Sequence, residues 1–528
     1  MGERIIRITF GSGRITHRRV LVACLFVVAA ALLQPATAGA FQFNEPFVRQ
    51  TAPEAMVFDW SSQKCEDNDI TDESARAFRD DSGKVQLMTT HFVNYRFIGN
   101  TLETLTHPCT KTMSSTGNSD PSKYDSREWL ASPWTPDGKN IYALVHNEYQ
   151  GQLYTGGNCI RSGETQAERY KCWYNAVTSA YSSNSGATFT NGPAPTHLVA
   201  TIPYQYAKDG PNGYFLPSNI VRSGDGYFYA FIRAEDKGFQ QLGACLMRTR
   251  NLADNTSWRA WNGTGFSTQF RNPYLATLDP SQHVCAPVDF LSIGTITESL
   301  TYNTYLRKWM LVGASVGDPA FNKPPGFYYA LSDDLLQWTN ATLLMAGELT
   351  WTKDCVPPDP IRDPSLIDPN STSRNFETVG QRAYLFYTVQ HLSGCAGTLD
   401  RDLLRIPVEF SNQQAGGPSA ALTASTRTAS VGDTVAFDAS GSSDSDGSVT
   451  RYEWDLNGDG TFERDTGSDS TTSKSFTTPE QVTVTVRVSD DDGKVTDETE
   501  IVRVQGSSSR PAFCEQASWK QKRPCRTR

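Results

Sequence analysis

The sequence predicts an all-β protein: a five-bladed β-propeller followed by an immunoglobulin-like β-sandwich. Three observations carry this. A hairpin that opens with a short polar cluster occurs five times, at intervals of roughly fifty to ninety residues, room for about four strands per unit. After residue 420 the texture changes to short Thr/Val/Ser-rich strands with turn signals between them and no cysteine before Cys514. Aromatic residues make up 11% of the chain and glycines number 40, a composition that suits turn-rich β structure.

Residues 1–40 read as a signal peptide. Arg14, Arg18 and Arg19 precede the apolar run Val20–Leu33, and Ala38-Gly39-Ala40 offers a cleavage site. The run is too short to span a membrane comfortably. Leu21-Val22-Ala23-Cys24 looks like a lipoprotein box, but the apolar core lies after Cys24, so lipidation is not expected. The mature chain is therefore expected to be secreted, extracellular or periplasmic, to act as a monomer and not to insert in a membrane after cleavage; a single-pass N-terminal anchor is the alternative. A formal charge of −9 disfavours nucleic acid as a partner. Removing Cys24 from the 11 cysteines leaves ten, an even number for an oxidising compartment. Neighbour pairing predicts Cys65–Cys109, Cys159–Cys172, Cys245–Cys285, Cys355–Cys395 and Cys514–Cys525.

The propeller is expected over residues 41–410. Its five hairpins open at Asp72, Glu128, Leu216, Glu298 and Asp363, and each returns through an apolar strand such as Ile141–Val145 or Trp309–Val312. If each first strand is innermost, its start and the end of the returning strand meet at one mouth of the channel. Polar residues gather at both places. This nominates His91, His146, Asn147, Glu148, Arg233 and His391 on the returning strands, with Glu128 and Asp363 on the opening ones, as substrate-binding residues. Any of the histidines would equally serve as a hydrogen-bonded structural residue. Ser182–Phe189 and Ser332–Trp338 read as outer-strand turns in which a short polar side chain satisfies backbone amides over a packed aromatic.

The combination of D-P-S-type inner strands, turns ending in D-G or S-G and the outer hairpin Y-A-L-S-D-D-L-L-Q-W resembles the five-bladed glycoside hydrolases of family 43 and its clan, over residues 65–405. That resemblance implies a carbohydrate substrate, no cofactor required for catalysis, and two catalytic carboxyls. Asp72 stands at the family's general base, and Glu298, in T-E-S-L-T-Y-N, at its general acid. The third family carboxylate would open blade three, where this chain reads Leu216-Pro217-Ser218-Asn219. A glycosidic bond breaks through an oxocarbenium-like transition state, so one carboxyl must protonate the leaving oxygen while another serves the opposite face of the sugar. The resemblance implies an inverting hydrolase. A non-catalytic propeller that binds glycan or a cell-surface ligand is the alternative.

Residues 411–419 are expected to be a linker. Val431–Asp444, Tyr452-Glu453-Trp454-Asp455 and Val484–Asp490 resemble the PKD domain, expected over residues 420–505. Asp455, Asn457 and Asp459 have the D-x-N-x-D-G spacing of a calcium loop, so calcium is a candidate ligand there. Residues 506–528 form a basic tail.

Overall fold

The computed structural model describes residues 47–154, 170–317, 323–350, 359–394, 396–411, 417–444, 448–491 and 494–506. The expected signal peptide, most of the linker, the basic tail, and Cys159, Cys355, Cys395, Cys514 and Cys525 lie outside the described residues. Among the described residues no helix is long and apolar enough to cross a membrane.

All five predicted hairpins form. Their opening strands are Arg76–Arg79, Arg127–Trp134, Val221–Arg222, Ser299–Asn303 and Ile361–Ile367, each paired antiparallel to its returning strand. Blade one is a three-stranded sheet, one strand fewer than its spacing suggested. Blades two and three share a sheet through Asn212–Phe215, which runs parallel to Trp173–Ser182 and antiparallel to Phe228–Ala234. Gly213 makes that junction possible: its φ is +115°, and an added Cβ would overlap the Asn175 carbonyl. The ring closes at blade five, where Val48–Gln50 pairs with the last propeller strand in the register Val48↔Phe410.

The inner strands are tied to one another by side chains. Asn94 holds both backbone groups of its blade-two neighbours, donating to Glu128 O at 2.9 Å and accepting Leu130 N at 2.7 Å. Ser132 donates to Ser218 O at 2.6 Å, Asn219 accepts Leu300 N at 2.7 Å, and Ser299 accepts Leu366 N at 3.1 Å. Ser365 completes the circuit by donating to Ala75 O at 2.6 Å. Apart from the short parallel pairing of Ser299–Asn303 with Thr378–Val379 in blade four, the innermost strands lack a ladder on one edge, and buried backbone groups there need partners. Much of the repeated polar signature serves this purpose, including Asn219 of blade three.

The outer-strand turns are structural as expected. Asp334 accepts the amides of Leu336 and Gln337, both at 2.8 Å, above the buried Trp338. Cys65–Cys109 and Cys245–Cys285 are bridged, and Cys172 is also disulfide-bonded.

Residues after 417 form a sandwich of a three-stranded and a five-stranded sheet. Val482, Val484, Val486 and Val488 alternate inward onto Trp454, Phe437 and Val502. The sandwich touches the propeller: Arg427 donates to Asp289 at 2.7 Å and Asn340 donates to Thr499 O at 2.7 Å. In the candidate calcium loop the oxygens serve the turn itself. Asp455 accepts the amides of Gly458 and Gly460, each at 2.7 Å, Asn457 that of Asp459 at 2.9 Å, and Asp459 that of Thr461 at 2.8 Å.

Candidate active site

Asp72, just before the inner strand of blade one, is the centre of a charged cluster. Its Oδ1 accepts Arg401 and lies 2.9 Å from Arg362 Nη2, and its Oδ2 accepts Trp129 Nε1 at 3.1 Å. His91 Nε2 is 3.8 Å from Oδ2. Burial alone would raise this carboxyl, but the two guanidiniums, with His91 and Trp129, outweigh it and hold it far below the usual range. His91 donates from Nδ1 to Asn68 O at 3.0 Å and is kept neutral by burial, its pKa lowered to about 4. Asp363, from the next blade round the ring, accepts Arg362 Nε at 2.6 Å. Its φ of +56° is unusual for a non-glycine residue and lies beside a bulge in the blade-five ladder. Burial raises the Asp363 carboxyl, assisted by the charge on Asp72 and opposed by Arg362.

A second group lies alongside. Glu73 Oε1 meets His146 Nδ1 at 3.0 Å, and His146 Nε2 points toward Glu148 Oε1 at 3.8 Å. Burial raises Glu73, and it raises Glu148; His146 is raised too, because its bond to Glu73 overcomes burial. Trp129 and Phe215 flank the imidazole at 5.6 and 5.8 Å between ring centres. Arg233, paired across the strands with Phe215, is bonded to Glu235 at 2.9 Å.

Glu298, opening blade four, is reached through Arg76. That buried guanidinium donates to the Glu298 carbonyl, to Ala75 O at 3.0 Å and to Ser365 Oγ at 3.3 Å, and it feels the charges of Glu73, Glu298 and Asp363. The Glu298 carboxylate accepts Ala314 N at 3.0 Å on Oε1 and Thr297 N at 2.9 Å on Oε2. Burial raises its pKa, against the pull of those amides and of Arg233. The carboxylate sits over Gly313, where any Cβ would collide with it.

The structure thus brings Asp72, His91, His146, Glu148, Arg233, Asp363 and Glu298 into one neighbourhood. It sends three nominated residues elsewhere. Glu128 lies on the face of its strand opposite to Trp129, with Oε1 on Asn191, and Asn147 is likewise turned away between His146 and Glu148, donating to Arg127 O at 3.2 Å. His391 is bound by Asp359 at 2.6 Å and Asp402 at 2.9 Å, on the face of the final propeller strand opposite to Arg401. His391, Asp400 and Asp402 bring ligand-type atoms within 4.8 Å of one another, as do Cys65, Asp69 and His107, where Cys65 is already bridged. Sequence reasoning missed Glu73, Arg76, Arg127, Arg362 and Arg401. Only the adjacency of Glu73 to Asp72, of Arg127 to Glu128 and of Arg362 to Asp363 was visible in the chain.

Glu128 yields a stability prediction. Fully buried with Oε2 unpartnered, its carboxyl is pushed by burial from 4.5 up to about 7. A carboxyl raised on folding gives stability that is present below its unfolded pKa and lost as pH rises through about 7. The loss is about 3 kcal/mol. Glu128→Gln, which cannot ionise, is expected to flatten the decline in stability between pH 5 and pH 8 by that order. Urea melts at the two pH values measure it, and parallel wild-type and variant profiles refute it.

Solved structures similar to the chain include sucrose-6-phosphate hydrolase from Lactobacillus gasseri, at 10% identity and TM-score 0.39 over 84% of this chain and 88% of that one. A GH43_1 enzyme from Xanthomonas citri is similar at 14% identity and TM-score 0.36, over 68% of this chain and 91% of the other. The PKD1 domain of Vibrio anguillarum Epp is similar at 29% identity and TM-score 0.14, over 18% of this chain and 99% of that domain. No curated protein matches the sequence. Residues 416–505 match the PKD domain family.

Proposed function

We propose that the propeller is a secreted glycosidase that hydrolyses a glycosidic bond at the Asp72 pocket, with inversion. Asp72 is the general base that activates water, and Glu298 is the general acid that protonates the leaving oxygen. One observation carries the reading: two arginines hold Asp72 ionised while burial raises Glu298. Pairs of carboxyls whose environments push their pKa values apart are the pattern of acid/base chemistry. Arg76 positions the backbone of Glu298. The disulfides support an oxidising compartment.

A second reading is a glycan-binding propeller without catalysis. It is favoured by the two backbone amides that already occupy Glu298, and by the use of Asn219 as an inter-blade tie where the family would place a carboxylate. A screen of aryl glycosides and of plant and microbial polysaccharides separates the two. Release of a sugar whose first-formed anomer is inverted supports the enzyme; binding of a glycan with no product across the screen overturns it.

A further inference from the structure

We propose that Arg127 gives the pocket a preference for a sugar bearing an anionic group, a carboxylate or a sulfate ester, beside the bond that Asp72 addresses. This rests on the reading of the pocket as a carbohydrate site. Arg127 and Trp129 share one face of the blade-two inner strand, and Trp129 touches Asp72, so Arg127 lies at the same mouth. Its guanidinium is held over the Phe92 ring, 4.3 Å from the centroid. That ring in turn packs on His91 at 4.1 Å and on Trp129 at 6.1 Å. An aromatic platform fixes the orientation of the guanidinium and leaves its N–H edge for a ligand.

The charge balance around it is what points to an anion. Arg362 is committed to Asp72 and Asp363, Arg401 to Asp72, and Arg233 to Glu235. Arg127 makes no ion pair among the described residues. The carboxyls it feels are Glu148 and Asp72. Glu148 is raised by burial, with Gln150 bonded to it at 2.5 Å, and Asp72 is already shared by two arginines. Burial lowers the pKa of Arg127, yet the group remains a cation at working pH. A half-buried cation with no carboxylate at ion-pair distance among the described residues is better satisfied when a ligand supplies one, and the planar fork of arginine matches carboxylate and sulfate in a bidentate pair.

The test is calorimetric binding by the mature chain carrying Glu298→Gln, which slows turnover of a glycan and leaves the contacts of Asp72 with Arg362, Arg401 and Trp129 in place. The probes are trigalacturonate, its methyl ester and a sulfated galactose disaccharide. The acidic trimer is expected to bind about tenfold more tightly than the ester at low salt, with the gap closing as salt is added. Arg127→Ala should remove the preference and Arg127→Lys should restore part of it, each checked for an unchanged melting profile. If the sulfated probe alone is favoured, the anion is a sulfate ester and the assignment stands. Equal binding of acid and ester with no favour for the sulfated probe, no binding of any probe, or a preference that survives Arg127→Ala overturns it. Failure of the glycosidase reading looks different: it is the absence of turnover by the wild-type protein, which this binding experiment does not use.

Discussion

Asp72→Asn is expected to remove hydrolysis almost completely, by about a thousandfold or more, because the water-activating charge is lost and an amide cannot accept the proton. The surroundings make this substitution harsher than a simple neutralisation. Two largely buried guanidiniums, those of Arg362 and Arg401, lose their shared anion, and breaking such a pair costs up to about 3–5 kcal/mol of stability. Stability loss and catalytic loss therefore have to be separated. Asp72→Ala does so, since it leaves a small space faced by both arginines. Azide or formate is drawn there and should restore part of the turnover, while leaving the melting temperature far less changed than the rate. The pH profile offers an independent reading. The Asp72 carboxyl is held far below the usual range, so wild-type activity should show no acid limb within the pH range in which the protein stays folded. Wild-type rates in Asp72→Asn, or an acid limb that the same variant leaves in place, would remove Asp72 from the mechanism.

The hairpins were legible because their signal is local. Alternation over a few residues and a turn of small polar residues describe a strand pair without reference to the rest of the chain. The closing strand was not legible for the opposite reason. Val48–Gln50 has only three residues, and its partner, the strand ending at Phe410, is some 360 positions away. Neither period nor composition marks so short an element.

The site was half legible, and the division follows the same physics. Position at a strand start predicted Asp72, Glu298 and Asp363, because topology carries those starts to one place. It could not say which face each side chain takes, and period-2 alternation put Trp129 in the pocket and Glu128 behind it. The arginines around Asp72 and Glu298 escaped altogether: Arg401 meets Asp72 across 329 positions and Arg76 meets Glu298 across 222. Polar residues that look alike in the repeat also divide by role. Ser132, Asn219, Ser299 and Ser365 satisfy backbone between blades, whereas the carboxylates beside them face charge.

Glu298→Gln should split substrates by leaving group. A general acid is worth about 10²–10⁴-fold when the leaving oxygen is a poor one. A natural glycan should therefore lose two to four orders of magnitude, whereas an activated aryl glycoside, whose phenolate leaves with little protonation, should lose less than about tenfold. The substitution is not silent in structure. Glu298 accepts two backbone amides, from Thr297 and Ala314, and a glutamine can accept only one while turning its own N–H groups toward the other. That buried mismatch costs about 1–3 kcal/mol, read as a lowered melting temperature. A purely structural role would slow both substrates alike through that destabilisation, so the split between them, not the loss itself, is the informative result. The pH profile adds its sign. Burial raises the Glu298 carboxyl, and an acid must be protonated to act, so wild-type activity should fall as pH rises through that raised pKa, and the fall should vanish for the aryl substrate in Glu298→Gln. Equal losses for both substrates, with the basic limb unchanged, would mean that the acid is another of the buried carboxyls, Glu148 or Glu73, whose pKa values burial raises as well.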